Sequence, residues 1–161
     1  MFVYRRATRD DLEKIWDKDI LTHPGDERYV RWKREYINNN ESEKCITFVV
    51  LDGENPVGQI TLILSCECSS VRNRIELCDG VERANMNAFR IEKEYEGQGH
   101  ISKLVKIAEE EAKKRNVKFL TIGSEAKESR NLAIYLHFGY TEFVTSFTED
   151  NELILFYGKR I

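Results

Sequence analysis

The chain has 161 residues, of which 41% are hydrophobic and only two are proline; that is enough for one real core and too little for two comfortable domains. Acids and bases are mixed along it and the net charge is −3, which argues against a nucleic-acid partner, where a basic excess would gather on one face. No stretch approaches membrane-spanning length and no apolar signal run opens the sequence, so no membrane partner is expected and the location read from the sequence is cytoplasmic.

Phe2 to Arg6 reads as a first strand. Thr8-Arg9-Asp10-Asp11 then has the form of a capping box, a hydroxyl at the N-cap with an acid three residues on. Leu12, Ile15, Trp16 and Ile20 follow at helical spacing, and His23-Pro24-Gly25 ends that helix. A second helix is predicted over about Asp26 to Asn38, stopped by Asn38-Asn39-Asn40. Its Tyr29, Trp32 and Tyr36 fit either a packed face or the lining of a substrate pocket. Ile46 to Leu51 and Val57 to Leu64 are apolar runs around Asp52-Gly53-Glu54-Asn55-Pro56, a hairpin signal.

Residues 65–83 are polar and irregular, an expected hairpin tip or long loop, and hold Cys66, Cys68 and Cys78. Cys66 and Cys68 alternate in a strand-like stretch and are expected on one face. With no C-x2-C pair and no nearby His, free thiols in a reducing compartment are expected rather than a metal site. Ala84 to Ile91 resumes as a strand.

Gly97-Gln98-Gly99 follows, and then Ile101, Leu104, Val105, Ala108 and Ala112 mark an amphipathic helix ending near Arg115-Asn116. Strand, glycine turn and helix start together build an anion pocket from backbone alone. The first N–H groups of a helix lack intrahelical partners, and its dipole places partial positive charge there. Val117 to Gly123 reads as a strand, completing a βαβ unit with a parallel pair. A helix over about Glu128 to His137 stops at Gly139. Phe143 to Thr148 and Leu153 to Tyr157 form a terminal hairpin.

The order β-α-α-β-β-β-α-β-α-β-β, with Tyr95-Glu96-Gly97-Gln98-Gly99-His100-Ile101 and Tyr135-Leu136-His137-Phe138-Gly139-Tyr140, resembles the GNAT superfamily of acyl-CoA-dependent N-acyltransferases over essentially the whole chain. The family's phosphate loop, Gln/Arg-x-x-Gly-x-Gly/Ala, falls on Glu96 to Ile101. Its Tyr-x-x-x-Gly-Phe helix end falls on Tyr135, Gly139 and Tyr140. Two departures stand out. Glu96 replaces Gln or Arg, and Ile101 replaces Gly or Ala. A carboxylate about 6 Å from a phosphate charge costs roughly 3 kcal/mol at an effective dielectric near 20, if its side chain faces the ligand.

The resemblance implies one N-acetyltransferase-like domain over residues 1–161, α/β in class. Its mixed, mostly antiparallel sheet would have a central parallel pair splayed for the cofactor, with about four flanking helices. It implies acetyl-CoA as acyl donor, no metal, and transfer of an acetyl or similar group to a primary amine by direct attack. The acceptor is a small-molecule or peptide amine, and the protein a monomer or homodimer. Backbone N–H groups of Gly97, Gln98, Gly99, Ile101 and Ser102 would hold the pyrophosphate. His100 belongs to the same loop, with no role for its side chain. Phe89 and Ile91 would pair with pantetheine through their backbone. Tyr135 would protonate or hydrogen-bond the leaving thiolate, and Asn131, one turn earlier, would reach the cofactor. Glu125 is one candidate base, while Asn85 and Asn87 suit water positioning; the base stays unassigned. Two other readings are open: an acyl-CoA-binding module without turnover, and a partner-binding domain that has lost CoA.

Overall fold

In the computed structural model, which describes residues 1–161, the chain runs β1 (Phe2–Arg6), α1 (Arg9–Thr22), α2 (Glu27–Glu41), β2 (Cys45–Asp52), β3 (Asn55–Ile63) and β4 (Arg83–Ile91). It continues through a 3-10 turn (Lys93–Tyr95) to α3 (His100–Lys114), β5 (Phe119–Glu125), α4 (Ser129–His137), β6 (Glu142–Glu149) and β7 (Glu152–Arg160). The strands form one seven-stranded mixed sheet in the order β1-β2-β3-β4-β5-β7-β6. β1 and β2, β5 and β7, and β6 and β7 are antiparallel, while β4 and β5 are parallel. The α/β class and the parallel pair expected from the sequence are present.

Packing divides the chain into two compact units. One comprises Met1–Thr61 with Ala88–Ile107, the other Leu62–Asn87 with Ala108–Ile161. In the first, α1 starts at a capping box. Thr8 accepts from the Asp11 N–H, and Asp11 accepts in return from the Thr8 N–H at 2.7 Å. Asp11 also receives both amino groups of Arg5, at 2.5 and 3.2 Å, tying β1 to α1. Leu12, Trp16 and Ile37 form a buried cluster with Tyr29, Trp32 and Tyr36 packed against it. Burying each large apolar side chain is worth about 1.5–3 kcal/mol. The three aromatics of α2 therefore serve a packed face.

Three local expectations are corrected. Asn38-Asn39-Asn40 does not end α2, which runs to Glu41. Asn40 is buried, donates to Tyr36 O at 2.8 Å and accepts from the Thr47 N–H at 2.8 Å. This satisfied amide offsets the poor helix propensity of Asn. Cys66 and Cys68 do not alternate on a strand. Residues 65–68 form a turn closed by Cys68 N–H to Ser65 O, leaving Cys68 buried and Cys66 half-buried. Finally, β4 does not pass directly into the glycine turn, since the 3-10 turn at Lys93–Tyr95 intervenes.

In the second unit the parallel ladder runs from Arg83↔Phe119 to Met86↔Ile122. Thr121 donates to Leu77 O at 2.8 Å and receives the Asn85 amide at 2.9 Å. A buried hydroxyl thus anchors the chain between β3 and β4 to β5. Tyr140 donates to Glu109 at 2.9 Å, and Lys159 completes an ion pair with the same carboxylate oxygen.

Candidate active site

Ala88 in β4 has φ 49, a left-handed value that interrupts the extended backbone. Beyond it, Phe89 and Ile91 are half-buried and Arg90 is exposed. The strand ends where Glu92 N–H donates to Val57 O at 2.8 Å. The 3-10 turn then turns the chain into Gly97 and Gly99, with φ 75 and 83. Only glycine adopts these angles without strain. A Cβ added to either glycine would meet no atom within 4 Å. The loop thus borders open space on the side where side chains would project, and α3 begins immediately after it at His100. Its first N–H groups have no acceptor within the helix and carry the positive end of its dipole. Gly97, Gln98, Gly99, His100, Ile101 and Ser102 form this loop and the first turn of α3.

The His100 side chain is buried and turned onto β1. Its Nδ1 lies 2.6 Å from the Tyr4 hydroxyl, and its ring meets Phe2 edge-on at 4.4 Å between centroids. Its Nε2 is 3.3 Å from Gln98 Oε1, and Gln98 Nε2 donates to Glu94 O at 3.3 Å. Only the backbone of His100 is therefore left for a ligand. Lys103 places its ammonium 5.1 Å from the centre of the Tyr4 ring. Glu92 is ion-paired to Lys18, so its charge is compensated. Glu96 is exposed.

Tyr135 and Asn131 lie on α4, in the other unit. Tyr135 is buried, and that burial pushes its phenol up to about 12. Asn131 is exposed, so the two do not share an environment despite their spacing. Tyr140 is held by Glu109 and packed by burial, which raises its phenol far above the ordinary range; its role is structural. Asn85 is committed to Thr121. Glu125 is ion-paired with Lys127 at 3.5 Å. No group of three or more His, Cys, Asp or Glu side chains is placed to hold a metal ion, and no helix is long and apolar enough to cross a membrane.

The sequence reading missed Tyr4, Gln59 and Arg90. Tyr4 sits in a short strand whose pattern reports only alternation. Arg90 gains meaning only from the buried Gln59 amide, which, with its oxygen turned toward the guanidinium, accepts from Nη2 at 2.9 Å and Nε at 3.3 Å.

The sequence matches the acetyltransferase (GNAT) family over residues 7–140. No curated protein matches it. Among solved structures, a ribosomal-protein-alanine N-acetyltransferase from Brucella melitensis is similar, with TM-score 0.72 and 17% identity, covering 99% of each chain. A PaiA N-acetyltransferase from Thermoplasma acidophilum in complex with coenzyme A gives TM-score 0.65 and 16% identity, covering 100% of this chain and 99% of that one. An N-acetyltransferase from Staphylococcus aureus gives TM-score 0.71 and 16% identity, covering 99% and 98%.

Proposed function

The chain belongs to the acetyltransferase (GNAT) family, and we propose that residues 1–161 act as one N-acetyltransferase-like domain moving an acetyl or similar group from acyl-CoA to a primary amine. One observation carries this reading. Gly97 and Gly99 hold left-handed angles beside open space at the start of α3, the arrangement that grips a pyrophosphate by backbone N–H groups. Gly97, Gln98, Gly99, His100, Ile101 and Ser102 supply that grip through their main chain. Phe89 and Ile91 offer backbone groups to the amides of pantetheine.

The neutral amine nitrogen attacks the thioester carbonyl carbon, the C–S bond breaks, CoA leaves as a thiolate, and the acylated nitrogen sheds one proton to solvent to become the amide. Tyr135 is assigned to that sulfur. With its phenol at about 12, against about 8.5 for a free thiol, it keeps its proton and stabilises the thiolate by hydrogen bonding rather than by full transfer. Asn131 is a further cofactor contact in this assignment. The reaction needs no metal, and free cysteines suit a reducing, cytoplasmic setting. The protein works as a monomer or homodimer on a small-molecule or peptide amine.

Calorimetric titration with acetyl-CoA tests the reading, with dephospho-CoA and adenosine as controls. Micromolar binding that weakens when phosphate or pantetheine is removed supports it. Binding without release of CoA in the presence of amines would favour a module without turnover, and no binding would overturn the reading.

A further inference from the structure

α1 and the ends of β3 and β4 border a cleft of about 560 Å³ within the same unit as the glycine loop. That volume suits a small molecule. Its charged and polar lining includes Lys14, Lys18, Asp19, Gln59, Arg90 and Glu92. Each cation already has an acid partner, Lys14 with Asp10 at 3.0 Å, Lys18 with Glu92 and Arg90 with Asp19, so both signs are present in balance.

Arg90 is the most constrained of these groups. Its Nη2 is 2.5 Å from Asp19 Oδ2, and its guanidinium lies 5.4 Å from the centre of the Trp16 ring. With the Gln59 amide oxygen turned toward it, Nη2 and Nε donate at 2.9 and 3.3 Å. Gln59 is only 2% exposed. A tether between α1 and β4 needs the Asp19 pair alone. Burying an amide as well costs desolvation that its bonds to Arg90 help offset. The outcome is a guanidinium fixed in its plane on the Nε side, with Nη1 left for another acceptor. With Nε and Nη2 engaged, Nη1 alone offers its N–H groups, in a fixed direction, to one carboxylate oxygen.

We propose that this cleft receives the acceptor, and that the acceptor is an amine carrying a carboxylate, of the amino-acid class, with Arg90 as the specificity-determining residue. The inference rests on the acyltransferase reading above. The carboxylate takes Nη1 of Arg90. The amine lies toward Asp19 and Glu92, carboxylates of the lining that are also ion-paired to Arg90 and Lys18. A diamine lacking a carboxylate would leave Nη1 of Arg90 without its acceptor. Arg90 stands between Phe89 and Ile91, so an acceptor bound to it lies against the same strand that is assigned to the cofactor arm.

The test pairs each standard amino acid with its carboxamide, which keeps the amine and removes the negative charge. Acetyl-CoA-dependent thiol release is followed for both. At least one amino acid should show a KM tenfold or more below that of its carboxamide. Arg90→Gln should raise the KM for the acid at least tenfold while leaving the carboxamide and the acetyl-CoA affinity unchanged. Arg90→Lys, which keeps the charge and the tether to Asp19, should fall between. Equal use of acids and carboxamides, or an equal effect of Arg90→Gln on both, would overturn the proposal while leaving the acyltransferase reading intact. If acetyl-CoA neither binds nor turns over, that reading fails separately. The cleft is then judged by the Arg90 Nε–H resonance on adding the same amino acids. A shift with acids and not carboxamides supports the site, and no shift with either overturns it.

Discussion

The Tyr4 hydroxyl and Nδ1 of His100 lie 2.6 Å apart across 96 residues of sequence. If the phenol donates, Nδ1 accepts, and the ring proton sits on Nε2, where Gln98 Oε1 receives it at 3.3 Å. Gln98 in turn donates to Glu94 O. One directed chain of hydrogen bonds then runs from β1 into the glycine loop and ties its shape to that strand.

Tyr4→Phe removes the first donor and leaves a buried ring nitrogen without its partner. The expected loss is about 1–3 kcal/mol of stability, read by urea unfolding, with acetyl-CoA affinity falling several-fold as the loop loosens. Unchanged stability together with unchanged affinity would show that the chain does not order the loop.

Gly99→Glu should leave a folded protein, because the added atoms meet open space. The left-handed angle costs about 1–2 kcal/mol for a residue with a Cβ. Acetyl-CoA binding should nevertheless disappear in calorimetry, since bulk and negative charge enter the assigned phosphate position. Gly99→Ala separates strain from charge and should bind more weakly than wild type but measurably. Full affinity in the Glu variant would remove the phosphate-loop assignment.

Tyr135→Phe should lower kcat by about 10- to 100-fold and leave the acetyl-CoA Kd nearly unchanged. An equal loss in both would assign the buried ring to packing alone.

Asp11 is buried, which by itself pushes its carboxyl up. The Arg5 guanidinium and the Thr8 N–H and hydroxyl outweigh that and hold it below the ordinary carboxylate range. A depressed value means that its stabilisation is present above the unfolded pKa of about 3.9. It is lost as pH falls through the lower folded value. Asp11→Asn should cost about 1–2 kcal/mol near neutral pH, a modest figure because Arg5 is partly solvated. The gap between wild type and variant should close as pH drops from 5 toward 2 in thermal unfolding. A gap that stays constant with pH would contradict the depressed value.

The repeat of apolar positions in Ile101, Leu104, Val105, Ala108 and Ala112 and the Thr8–Asp11 box are local signals, and both predicted helices are present. The glycine loop was legible for the same reason, because positive φ demands glycine where the turn occurs. Asn38 to Asn40 misled because their propensity is local, whereas the Thr47 partner of Asn40 belongs to a following strand. Cys66 and Cys68 misled because alternation alone does not distinguish a strand from a turn.

The sequence by itself determined the element order, the capping box of α1, the glycine turn and the family, since these rest on neighbours along the chain and on backbone angles. Tertiary structure alone decided that His100 turns inward to Tyr4, that the aromatics of α2 pack on Leu12, Trp16 and Ile37, and that Gln59 orients Arg90. Each depends on groups distant in sequence meeting at hydrogen-bond or van der Waals range, where a buried polar atom must find a partner. No periodicity along the chain encodes which partner that will be.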